Sequence, residues 1–136
     1  MFATTLSITA WKKPAHLTIV VVAIAAQFSI PAPSTAQEFM SQAELISTIP
    51  GKTIQGRSND GSRWAQAYGK GSKRGKIKGV HEGSKYDAEW YVEGDKWCEN
   101  WGDGQACWSV ERVDERSLRM FNADGSARKY LWVLQD

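Results

Sequence analysis

The side chains best equipped to make contacts in this chain are its indoles. Six of its seven tryptophans lie beyond residue 36, and Trp90, Trp97, Trp101 and Trp108 fall between residues 90 and 108. Rings at this density can hold a sugar face, an apolar ligand or a partner's side chain, yet a thin β core also fills itself with large rings. Trp90, Trp108 and Trp132 read as core. Trp101 lies in a Gly-Asp loop, where an indole is expected to be exposed, so it heads the candidate contacts, with Trp97 and Tyr91 beside it.

Charge supplies a second constellation. Lys70, Lys73, Arg74, Lys76 and Lys78 alternate with glycines, and Asp87, Glu89, Glu93, Asp95, Glu99 and Asp103 follow as an acidic stretch. A solvated hairpin is the plain reading, but Lys70, Lys73, Arg74 and Lys76 are also candidates for contact with a phosphate, a polyanion or a membrane surface. The segment is not a phosphate-binding P-loop, because Ile77 stands where Ser or Thr is required. Asp87 and Glu89 share a strand face and offer a carboxylate pair for acid-base work. Beyond residue 36 the only histidine is His81, without zinc-ligand spacing, an HExxH or a nucleophile elbow, so neither a metal, a cofactor nor a catalytic residue is assigned.

These residues have to be positioned by short elements. Ser41 and Glu44 form the S-x-x-E of a capping box, with Met40 and Leu45 as its hydrophobic staple, and Pro50-Gly51 stops the helix, which predicts a helix over 42–49. From Thr53 onward, runs of β-branched and aromatic residues alternate with turn dipeptides such as Asp60-Gly61, Gly94-Asp95 and Asp124-Gly125. They predict strands over 53–57, 63–68, 76–81, 86–93, 96–100, 106–113, 118–122 and 128–134. The fold class is therefore mainly β: a short N-terminal helix and an antiparallel meander closing into a small barrel or a two-layer sheet. Alternation places Ala88, Trp90 and Val92 on one face, and Ala106, Trp108 and Val110 likewise.

Cys98 and Cys107 are the only cysteines. On neighbouring strands they are expected to form a disulfide across the 101–105 loop, provided both face the same side of the sheet. Eight residues separate them, without the CxxC spacing of a redox pair.

Residues 1–36 differ in kind. They hold no acid, only Lys12 and Lys13 as charges, and a nearly unbroken apolar run from Leu17 to Phe28, bounded by prolines. This is a signal-peptide profile, with Ser34-Thr35-Ala36 leading to cleavage near Ala36-Gln37. It implies periplasmic or secreted localisation and a single domain over 37–136. Taking Lys12 and Lys13 from the 17 basic residues leaves 15 against 15 acidic ones, which argues against nucleic acid as a partner.

The order Gly51-Lys52-Thr53, Gly56, Asp60-Gly61, Trp64, Tyr68, Gly79, Trp90, Gly94-Asp95, Trp97-Cys98, Cys107-Trp108, Val110 and Asp124-Gly125 resembles a family of small secreted domains of unknown function from Gram-negative bacteria. The resemblance implies a periplasmic location and a small antiparallel β fold with one local disulfide, and it transfers no active site. The leading expectation is a non-catalytic binding or interaction module, taking a small apolar or sugar ligand or a periplasmic protein. Its alternatives are a protease or lysozyme inhibitor that uses the braced 101–105 loop, and a hydrolase of undetected type.

Overall fold

The computed structural model describes residues 36–136. The signal-peptide expectation lies outside them. Eight strands form one closed antiparallel barrel in sequence order: β1 (Thr53–Arg57), β2 (Arg63–Tyr68), β3 (Arg74–His81), β4 (Ser84–Glu93), β5 (Lys96–Asn100), β6 (Gln105–Arg112), β7 (Ser117–Phe121) and β8 (Trp132–Gln135). The barrel is thus realised and the two-layer sheet is not. Closure comes from β1 pairing with β8, with Thr53, Ile54 and Gln55 opposite Gln135, Leu134 and Val133.

Among the described residues a single helix, α1 (Gln42–Thr48), precedes the barrel. It is not at the N-terminus of the chain, as expected of it, but begins at residue 42, where its start is locally fixed. Ser41 and Glu44 form both halves of the capping box, which satisfies backbone N–H groups that a helix start otherwise leaves open. The helix stops one residue earlier than predicted, with Ile49 as its C-cap and Gly51 at φ 82°.

Strand alternation decides what fills the barrel. Ile54, Tyr68, Ile77, Ala88, Trp90, Trp97, Trp108, Val110, Leu118, Met120, Trp132 and Leu134 point inward and form one core. Leu45 of α1, with Met40 before it and Ile49 at its C-cap, joins that core. The Gln42 amide N–H donates to Asp95 Oδ1 (2.8 Å) and Gln42 Nε2 to the Gly94 carbonyl (3.1 Å), which ties α1 to the β4–β5 turn and closes that end of the barrel.

The last predicted strand needs correction. Residues 128–131 alternate like a strand, but β8 begins only at Trp132. Asn122 to Ser126 make a tight turn, Phe121 bridges Ala127, and Arg128 N–H donates to the Met120 carbonyl (2.8 Å) before the chain leaves the sheet. This departure delivers Arg128 to the barrel end opposite α1.

Candidate functional site

In an antiparallel barrel of consecutive strands the loops fall alternately at the two ends. The β1–β2, β3–β4, β5–β6 and β7–β8 loops gather at the end opposite α1, and an open cavity of about 410 Å³ lies there. Its wall is aromatic, from Trp64, Tyr86, Trp101, Trp108 and Trp132, and its polar groups include Gln66, His81, Glu99, Asp103 and Arg128.

Cross-strand pairs set the wall. Trp64 pairs with Gly56 and Tyr86 with Gly79. A Cβ at Gly56 would meet the Trp64 ring at 2.3 Å, and one at Gly79 would meet the Tyr86 ring at 2.1 Å, so each ring lies flat over a bare backbone. The indoles then meet edge to face: Trp64 on Trp132 (5.1 Å), Trp132 on Trp108 (5.4 Å) and Trp108 on Trp101 (6.1 Å). The Arg128 guanidinium rests over the Trp108 ring at 5.6 Å, a cation–π distance.

Glu99 is the unusual group. It is 1% exposed, yet its carboxyl lines the cavity. It accepts from Trp97 Nε1 at 3.2 Å, contacts Tyr68 Oη at 2.6 Å and contacts the Gln66 amide at 3.1 Å, while that amide also lies 2.5 Å from Tyr68 Oη. The Glu99, Tyr68 and Gln66 side chains therefore share three contacts. Tyr68 brings one proton, and the Gln66 NH₂ can serve only one of its two contacts. Whichever way the amide is turned, the third contact requires a proton on Glu99. Burial likewise pushes the carboxyl above its ordinary value, against the lowering pull of its bonds from Tyr68, Gln66 and Trp97. Burial, with the Glu99 charge second, raises the Tyr68 hydroxyl well above its own.

The expected contact residues separate. Trp101 does line the cavity, but it is half-buried against the core rather than an exposed loop indole, because it continues the inward alternation of Trp97 and Glu99. It also borders a second cavity of about 510 Å³ beside β3 and β4, so its ring partitions the two. Trp97 is fully buried beneath the cavity, stacked on Trp90 at 4.8 Å. Tyr91 faces outward, its hydroxyl 3.4 Å from Gln105 and 3.8 Å from the Cys107 sulfur. Cys98 and Cys107 sit opposite each other on β5 and β6 and form the disulfide, which braces the base of the loop carrying Trp101 and Asp103. Glu93 lies near both sulfurs, but the disulfide leaves no thiolate there to hold a metal.

The basic run does not join the cavity. Lys70 and Lys73 lie in the β2–β3 loop, at the α1 end, with Arg74 opening β3. Lys76 pairs with Glu89, and Lys78 with Asp87 at 2.6 Å, across β3 and β4. The basic and acidic stretches thus zip together strand to strand, and the Asp87 and Glu89 carboxylates are spent on exposed ion pairs. At the cavity rim, Ser62 Oγ contacts His81 Nε2 (2.8 Å) and Asp60 Oδ1 (2.6 Å). This is no catalytic triad, since the carboxylate takes the serine proton and does not touch the imidazole. Asp124 and Ser126 repeat the same 2.6 Å contact without a histidine, which marks both as turn chemistry.

Glu99, Gln66, Trp64, Tyr86 and Arg128 were not singled out as site residues by the sequence. Alternation through Trp97, Glu99 and Trp101 is the one signal that could have turned Glu99 inward. Compared with known protein families, curated proteins and solved structures, the chain matches none.

Proposed function

We propose that this chain is a non-catalytic binding module of the periplasm or extracellular space, whose barrel mouth takes one small ligand. The observation that carries this reading is the 410 Å³ cavity, walled by four indoles and Tyr86 and floored by a buried, hydrogen-bonded carboxyl. Concave sites of a few hundred Å³ with apolar walls and a few fixed polar groups are the usual form of small-molecule sites. The disulfide is compatible with an oxidising compartment. The hydrolase alternative relies on the Asp87 and Glu89 carboxylates, and both are held in ion pairs with Lys78 and Lys76 outside this cavity. The inhibitor alternative takes the 101–105 loop as its wedge; residues 102–105 are exposed there, while Trp101 turns its ring onto Trp108 and serves the cavity instead.

Native mass spectrometry of the chain exported to a bacterial periplasm tests the proposal. The expected result is a processed, disulfide-bonded chain carrying a small-molecule adduct. Trp101→Ala should lower adduct occupancy and weaken binding at least about tenfold, as loss of a central aromatic contact does. An adduct retained at full occupancy by Trp101→Ala contradicts the assignment of the mouth.

A further inference from the structure

Resting on the reading of the mouth as a small-ligand site, we propose that its ligand is a small organic cation, a quaternary or protonated ammonium, which packs against the indole wall and directs its charge at Glu99. Three observations converge on this class.

The first is charge. Glu99 and Asp103 line the cavity against one guanidinium, Arg128, so with Glu99 ionised the mouth is one positive charge short. The second is the way Glu99 is held. Its carboxyl is nearly inaccessible, and every hydrogen bond it makes is to a neutral group: Tyr68, Gln66 and Trp97. A buried carboxylate whose hydrogen bonds are all to neutral groups, and which the Arg128 guanidinium offsets only through space, is costly, and the proton required by the Tyr68–Gln66–Glu99 contacts relieves that cost. An ammonium arriving from the mouth supplies the balancing charge in the proton's place; the proton leaves to solvent, and the oxygen–oxygen contact that it bridged lengthens, since a quaternary ammonium brings no N–H to replace it. The third is the wall. The Trp108 face already carries the Arg128 guanidinium at 5.6 Å, so this surface accepts a cation, and Arg128 is its internal competitor.

The exchange makes binding depend on pH. Tyr68 and Gln66 of β2, His81 of β3, Tyr86 of β4, Trp97 of β5, Asp103 of the β5–β6 loop and Arg128 of the β7–β8 loop surround Glu99 or share its cavity. Cation binding that expels the Glu99 proton strengthens as pH rises, by up to about tenfold per pH unit while Glu99 is mostly protonated in the free protein.

Calorimetry with three probes decides the matter: choline, its neutral isostere 3,3-dimethylbutan-1-ol, and methyl α-D-glucopyranoside. Choline should bind at least about tenfold more tightly than the isostere, the size of a desolvated cation–π and ionic contribution. Proton release should be visible as a buffer-dependent heat. Glu99→Gln, which copies the neutral acid, should narrow the preference for choline to what the indole faces alone supply, about two- to fivefold, and abolish the proton release. Arg128→Gln, on a loop outside the sheet, should strengthen choline binding relative to the isostere.

Equal binding of choline and the isostere, or binding of the glucoside alone, would overturn the cation and leave the mouth as a ligand site. Failure of all three at millimolar concentration also overturns it, and the adduct seen by mass spectrometry then decides separately whether the mouth binds anything. A drop in choline affinity relative to the isostere in Arg128→Gln would contradict the competitor role.

Discussion

At the scale of single residues, the decisive feature is a carboxyl buried at the floor of the cavity. Glu99 belongs by sequence to an acidic stretch whose other members Asp87, Glu89, Glu93, Asp95 and Asp103 are all exposed, and composition alone cannot distinguish it from them. Strand parity does, since Glu99 shares the inward face with Trp97 and Trp101. The basic residues illustrate the opposite case: Lys76 and Lys78 were legible as exposed, but their pairing with Glu89 and Asp87 depends on the β3–β4 register. The raised Glu99 pKa fixes a sign for stability. Below the ordinary value of 4.5 the carboxyl is protonated in folded and unfolded chains alike. Above it the unfolded chain ionises first, so stability is lost as pH rises toward the folded value. Chemical denaturation at pH 4 to 8 should show wild type losing stability relative to Glu99→Gln as pH increases. A gap that narrowed with pH would contradict the buried, protonated carboxyl.

At the scale of elements, local signals were strong where a structure is closed by local chemistry. The capping box of α1 and the glycine turns between strands are fixed by neighbours in sequence, and the strands appear close to their expected bounds. Residues 128–131 failed because their alternation is strand-like, while the partner they would need is not beside them: β7 pairs with β8 only through Ser117 and Leu118. The disulfide was legible from spacing and turn position. Replacing Cys98 and Cys107 together by Ala should cost roughly 2.5 to 3 kcal/mol in reversible unfolding, the chain-entropy value for a loop of about ten residues. The glycine–aromatic pairs were not legible as pairs, because they depend on register. Gly79→Ala forces the Tyr86 ring off its seat, and a loss of about 1 to 3 kcal/mol is expected, together with altered ligand binding. A neutral Gly79→Ala in thermal unfolding would show that the ring has other room.

At the scale of the whole molecule, the proposed binding function rests on asymmetry between the ends of the barrel. Closure itself rests on three residue pairs between β1 and β8, distant in sequence, so the sequence left barrel and two-layer sheet undecided. Once closed, one end is sealed by Leu45 of α1 and its C-cap Ile49, and the other keeps a cavity among four loops. The barrel of the described residues therefore has one mouth, and the indoles report on it separately. Trp90 lies apart from the cavity lining, its Nε1–H donating to the Gly69 carbonyl at 2.9 Å, whereas Trp64, Trp101, Trp108 and Trp132 line the mouth. The most direct measurement is the indole region of a ¹H–¹⁵N spectrum during titration with a panel of ammonium, sugar and apolar small molecules. A binder should shift the signals of Trp64, Trp101, Trp108 and Trp132 and leave Trp90 in place; a binder that shifts Trp90 while the four mouth indoles stay fixed would contradict the site.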